Sequence, residues 1–412
     1  EKAERINTFV VGMLGSADPR VSGRHVEVAS VLDAASARVH EELGGQPEVE
    51  AAVLATLGTT YQGLGLYGPA KERLRAALSA SRAAFGGEHV EVARALDRLG
   101  GAFEDEGDQA EAERLYREAL AILQRLGEMN GTDIAEVEGD LARVLRWLGR
   151  APEAEALYRE SLAILRRQDP RSAAVAAALN NLGVLLGQRG DWAGAEPLHR
   201  EALEIVRAAR GPEHPDVAAG LNTLGGVLEA KGDLAAAERL YRESLDMRLR
   251  LLGGEHPDVA RSRYTLAGLL RVKGDPEGAL RECRLVLALR GRVLPHTHPM
   301  VAATQQIMGL ALVDLGRPRE AEPLLRESLA LRRQALPAGH WLIASSESVL
   351  GACLTAERRY SEAEALLLRA YAALADSRGN GEPTLDARRR VIALYEAWGR
   401  GEAAAAWRAR TP

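Results

Sequence analysis

A unit of about 42 residues returns along most of this chain, and that period constrains the fold more than any single motif. The stretch from Pro215 to Gly253 shows it complete, and the pattern restarts at Pro257-Asp258-Val259-Ala260. One small residue, following an apolar anchor, can be tracked through the copies as Gly58, Gly100, Ala142, Gly183, Gly225, Ala267, Gly309 and Gly351, with Ile392 in the corresponding place at the end. The steps are 42, 42, 41, 42, 42, 42, 42 and 41 residues. A segment this short cannot enclose its own apolar face, so each copy must bury it against the next.

Within the unit the apolar period is helical. Val217, Leu221, Leu224, Gly225 and Leu228 form one stripe, and Ala237, Leu240, Tyr241, Ser244, Leu245 and Leu252 form a second. Lys231-Gly232-Asp233 divides them, with glycine supplying the positive φ that ends a helix. Pro257 then opens the next helix, with Asp258 near its dipole. The turn glycine recurs as Gly65, Gly107, Gly149, Gly190, Gly232, Gly274, Gly316 and Gly399, replaced once by Arg358. The second helix repeats a small residue from Ala70 to Ala404, which predicts close-packed helix axes. Only 4% of residues are aromatic against 46% apolar, which suits packing through small side chains.

The expected organisation is all-α, with about nine antiparallel helix pairs. An N-terminal helical hairpin occupies 1–45, eight tandem repeats fill 46–378, and an atypical repeat closes the chain at 379–412. In the hairpin, Ile6, Phe9, Val10, Met13 and Leu14 mark a first amphipathic helix that either caps the first repeat, continues upstream, or pairs with another copy. No apolar run approaches the length of a membrane span. The net charge of −5 argues against a general nucleic-acid binder. Because the sequence starts at Glu1 without Met, it reads as a piece of something longer.

Leu57-Gly58, Tyr61, Gly65, Ala70 and Ala77 resemble the tetratricopeptide-repeat framework. The 42-residue period and the linker from Gly211 to Ala218 are similar to the kinesin-light-chain variety. The resemblance, over about residues 47–411, implies a right-handed superhelical solenoid whose first helices line a concave groove. A narrower resemblance links Glu4-Arg5-Ile6-Asn7, Ser16 to Arg20, Gln46 to Glu50 and Leu394 to Gly399 to the repeat extensions of bacterial transmembrane serine/threonine kinases. It implies a sensor or scaffold portion on either side of a bacterial membrane. No VAIK, HRD or DFG sequence occurs, so catalytic activity does not carry over.

The residues themselves favour binding over catalysis. His214, His256, His298 and His340 recur in the linkers, with His89 in the same place earlier. Successive copies lie on the order of 10 Å apart, too far for one zinc. A linker imidazole bonded near the start of the next helix is expected instead. His296-Thr297-His298 is the one local pair, and no cofactor or metal site is expected. Acidic residues such as Glu113 and Glu238 pair at i, i+4 with Arg117 and Arg242, which predicts solvated helix faces.

Removing the buried stripe leaves a polar face on each first helix. It carries Arg143 and Arg146, then Asn180, Asn181 and Gln188, then Asn222, then Arg261, Tyr264 and Arg271. An Asn amide can both donate to and accept from an extended peptide backbone, and Arg can engage carboxylates. These nine residues are the candidate peptide-binding set. The matching Asn in light-chain-like repeats resembles a peptide-holding ladder, which here gives way to Ala55, Asp97, Gly139, Gln306 and Ser348. The alternatives are a self-association module acting through the N-terminal helix, with a homodimer as its product, or an enzyme with an unrecognised site.

Overall fold

The computed structural model describes residues 28–43, 45–127, 131–293, 299–379 and 381–410. Nineteen helices and no strands occur among them. The N-terminal amphipathic segment with its homodimer expectation, and the pair His296 and His298, lie outside the described residues.

The chain divides into two units, the first ending at Ala209. In unit 1, α1 (Val28–Leu43) precedes α2 (Pro47–Gly63) paired with α3 (Tyr67–Phe85), and α4 (Val90–Glu106) paired with α5 (Gln109–Leu126). Two more pairs follow: α6 (Gly131–Trp147) with α7 (Ala151–Gln168), and α8 (Ala173–Gln188) with α9 (Trp192–Arg210). Unit 2 holds five pairs. These are α10 (Pro215–Ala230) with α11 (Leu234–Leu252), α12 (Pro257–Val272) with α13 (Pro276–Val293), and α14 (Pro299–Asp314) with α15 (Pro318–Ala335). The last two are α16 (Trp341–Ala356) with α17 (Tyr360–Arg378), and α18 (Glu382–Ala397) with α19 (Gly401–Ala409). First helices of successive pairs also touch one another in both units, as α4 touches α6 and α16 touches α18.

Each pair is made the same way. At the turn, Gly232 adopts φ 86° and its N–H donates to the Glu229 carbonyl, while the Asp233 N–H reaches back to Leu228. The Asp233 side chain then accepts from the Ala236 N–H, capping α11. Arg358 holds the corresponding place with φ 64°, the one non-glycine at positive φ among the described residues. The axes approach closely at the small anchors: a Cβ added at Gly225 would lie 2.6 Å from the Tyr241 ring, and one at Gly100 would lie 2.7 Å from Tyr116. Buried serines fasten three pairs from inside, with Ser161, Ser244 and Ser328 donating to the carbonyls of Ala135, Ala218 and Ala302.

The linker histidines are helix caps. Nδ1 of His89, His214, His256 and His340 accepts the N–H two residues on, at 3.1–3.2 Å. One expectation needs correction. Glu238 is no solvated carboxylate: it is 8% exposed, held by Arg242 of its own helix and by Lys273 from the end of α12. Glu113 likewise serves Arg117 at 2.8 Å and Arg150 of the following pair at 2.7 Å. A periodic chain places each carboxylate against the next unit, and the i, i+4 spacing of one helix does not show that.

Candidate functional site

Three residues before the small anchor, the first helices of the eight pairs before the last share a register beside the buried stripe. In unit 1 this register holds Ala55, Asp97, Gly139 and Asn180; in unit 2 it holds Asn222, Tyr264, Gln306 and Ser348. The helix positions this register through the packing of its apolar stripe, which places the polar side chains among these residues next to the core.

In unit 1 the register holds one acid, Asp97. Burial, reinforced by the negative charges of Asp140 and Glu136, pushes the Asp97 carboxyl up to about 8. Its Oδ1 is buried without a hydrogen-bond partner among the described residues. Burial also raises Asp140, opposed by the Arg143 guanidinium. Arg143 is held by both oxygens of Glu104, at 2.5 and 2.8 Å, and by Asp140 at 2.9 Å. Arg146 lies over the Trp147 ring, 5.5 Å from its centre. Asn180 and Asn181 sit half-buried on α8, and Gln188 is exposed at its end. The Asn180 Oδ1 is 2.9 Å from Nδ1 of His199, whose imidazole packs under Gly183. Burial lowers the pKa of that imidazole.

In unit 2 the register ends in unpaired polar atoms. Oδ1 of Asn222 and Nε2 of Gln306 are buried and lack hydrogen-bond partners among the described residues. Arg261 pairs with Asp258 at 2.7 Å, and Arg271 pairs with Asp314 at 3.2 Å. Tyr264 lies beneath the Arg290 guanidinium, 5.3 Å from ring centre to Cζ. Ser348 accepts from Arg390 at 3.0 Å. Of the nine candidate residues, then, Arg143, Arg261 and Arg271 already hold carboxylates, Asn180 holds a histidine, and Asn222 keeps an unused acceptor.

A second periodic set comes to light only in the fold. Arg248, Arg290 and Arg332, near the ends of α11, α13 and α15, are 3%, 4% and 4% exposed. Each donates from Nη1 to a carbonyl ten residues ahead: Asp258 at 3.3 Å, Met300 at 2.6 Å and Leu342 at 2.8 Å. Each also donates to a hydroxyl fourteen ahead: Ser262 at 2.6 Å, Thr304 at 2.5 Å and Ser346 at 2.9 Å. No carboxylate lies within ion-pair distance of these three among the described residues, and burial lowers the pKa of all three. The 42-residue spacing of the arginines was visible in the sequence; their burial was not, because arginine near a helix end is usually a surface residue.

Reactive groups are scarce. Cys283 and Cys353 are buried free thiols, and burial pushes both up to about 12, far from thiolate chemistry. Among the described residues no three His, Cys, Asp or Glu side chains converge as metal ligands, and no helix is long and apolar enough to cross a membrane.

The tetratricopeptide-repeat family profile matches residues 49–125, 133–208, 174–250, 216–281 and 258–334, about two thirds of the chain. Among solved structures, RapI in its apo form is 17% identical with a TM-score of 0.53, covering 69% of this chain and 98% of RapI. BtubC (BKLC) from P. vanneervenii is 23% identical with a TM-score of 0.46, over 60% of this chain and 92% of that one. A Podosopora anserina protein described as a kinesin light chain with nearly identical repeats is 24% identical, with a TM-score of 0.43, over 50% and 98%. At these identities the likeness to RapI speaks to the fold alone. No curated protein matches the chain as a relative.

Proposed function

Because the chain belongs to the tetratricopeptide-repeat family, a scaffold typical of protein–protein interaction, we propose that it binds an extended protein segment along the polar face of its first helices. The observation that carries this reading is the pair of unpaired amide atoms in unit 2, Oδ1 of Asn222 and Nε2 of Gln306. A buried polar atom left without a partner costs about 1–3 kcal/mol, so two in one register are expensive unless something completes them. A peptide backbone supplies the complement: its N–H donates to an Asn oxygen, and its C=O accepts from an amide nitrogen. Asn181, half-buried one residue beyond the register, offers the same chemistry. Asn180 can also contribute through its amide nitrogen, since its oxygen faces His199. Arg143, Arg146 and Gln188 complete the proposed face of unit 1, and Arg261, Tyr264 and Arg271 that of unit 2, the ion-paired arginines contributing by exchanging one carboxylate for another.

The test is a separation of stability from binding. Changing Asn181 and Asn222 to Ala, alone and with Asn180→Ala, should leave the helical circular dichroism intact. Asn222→Ala should hold or raise the melting temperature, because it removes an unpaired acceptor and a weak helix former. Affinity for peptides selected from a random display library should fall roughly tenfold or more. Unchanged affinity in the triple variant would remove these residues from the site.

The resemblances around Glu4, Ser16, Gln46 and Leu394 support a finer reading, in which this scaffold is the regulatory extension of a bacterial serine/threonine kinase. The reading frame preceding Glu1 decides it: a kinase domain followed by an apolar span is expected, and another context overturns it. Self-association is a separate outcome. Sedimentation would show a concentration-dependent dimer that is lost on deleting residues 1–15.

A further inference from the structure

The arginine rungs of unit 2 define a set of offsets: from the arginine, ten residues ahead to a carbonyl, fourteen to a hydroxyl, and, for Arg290, 26 behind to Tyr264. Applied to the first repeat, they select Ser81, with Glu91 and Ala95 ahead of it and Ala55 behind. All four line one cavity of about 250 Å³ in unit 1. Small residues thus stand at three points where unit 2 places an arginine, a hydroxyl and a ring. In the second and third repeats the corresponding place is filled by Leu123 and Leu165, at 0% and 6% exposure. In the first repeat the space stays open, and it exceeds the ~150 Å³ that accommodates benzene in a protein interior.

The walls indicate what fits. Phe85 and the alanines offer an apolar flank. Ser81 is 4% exposed, and its hydroxyl has no hydrogen-bond partner among the described residues. Glu48 and Glu91 bring two carboxylates against the single guanidinium of Arg98. Glu91 engages Arg94 at 2.8 Å, whereas Glu48 is exposed. Farther along α4 lies Asp97, the carboxylate with an unpaired buried oxygen.

We propose that this cavity is a subsite for an arginine side chain of the bound segment, which enters where unit 2 supplies an arginine of its own. The proposal rests on the peptide-binding reading above and adds a residue preference to it. An aliphatic stem packs on Phe85 while the guanidinium donates to the Glu91 carbonyl, the Ser81 hydroxyl and the carboxylates. A leucine would fill the space but leave those acceptors unpaired. A glutamate would meet Glu48 and Glu91 with only Arg98 on the wall to offset them.

Two measurements on the full chain test this. Ser81→Arg combined with Ala95→Ser rebuilds a unit 2 rung inside the first repeat. The double variant should melt at or above the wild-type temperature, and a fall of several degrees overturns the correspondence. Fluorescence anisotropy with labelled Ala/Ser peptides carrying one central Arg, Leu or Glu supplies the second readout. The Arg peptide should bind at least about tenfold more tightly than the others, and that preference should vanish in the double variant. Equal binding of the Leu peptide, or an Arg preference that survives Ser81→Arg, overturns the subsite while leaving peptide binding in place. If none of the three peptides binds, the peptide-binding reading falls and the subsite falls with it.

Discussion

At the scale of single residues, Asp97 shows how the repeat trades stability for a polar face. Its folded-state pKa, up to about 8, stands above the ordinary value of 3.8, so the folded state holds the proton more tightly than the unfolded chain does. The stability it contributes is therefore greatest below about pH 4 and is lost as pH rises toward 8. Asp97→Asn should raise stability at pH 8 by roughly 1–3 kcal/mol and change little at pH 4, as urea melts at the two pH values would report. Burial and the charges of Asp140 and Glu136 cause the shift, and those charges come from the next pair. The sequence therefore showed Asp97 as a departure from the Asn ladder but not as a buried carboxyl that holds its proton. Arg143 was visible as a cation on the same face. Its engagement by Glu104 was not, because that residue lies 39 positions away on α4.

At the scale of elements, what the sequence revealed is what backbone geometry demands. Turn glycines and small anchors were legible because a positive φ favours glycine and a close helix crossing leaves room only for a small residue. Arg358 tests the rule. Its turn keeps the same hydrogen bonds as the glycine turns, with the Arg358 N–H donating to Thr355 and the Arg359 N–H to Leu354. Arg358→Gly should therefore stabilise the α16–α17 turn by about 1 kcal/mol, read as a higher urea midpoint with an unchanged slope. A loss of stability would show that the Arg358 side chain contributes more than its backbone costs. Side chains that act between elements, such as Arg290 and Glu238, were not legible, since their partners are set by packing.

At the scale of the whole molecule, stability is distributed along the repeats. Continuous apolar clusters run from Leu74 to Ile205 in unit 1 and from Leu228 to Trp407 in unit 2. A stack of this kind behaves as a sum of unit and nearest-neighbour contributions. Leu367→Ala, at a residue 0% exposed and in contact with Gly351, should cost about 2–5 kcal/mol locally. Amide exchange should then quicken in α16, α17 and the helices packed on them while α2 to α5 keep their protection; equal acceleration everywhere would mean a single cooperative core. The shared anchors have a further consequence for how such a chain changes over generations. Most helix pairs end at a glycine or a histidine cap that recurs about 42 residues on, Asp169 and Ser172 marking the exception after α7. Recombination between two misaligned copies would therefore remove or duplicate a whole pair and still join compatible surfaces. The length of the proposed binding face becomes a heritable variable, adjustable in steps of one pair, and the odd copies with Ser81 or Arg358 can diverge without disturbing the rest.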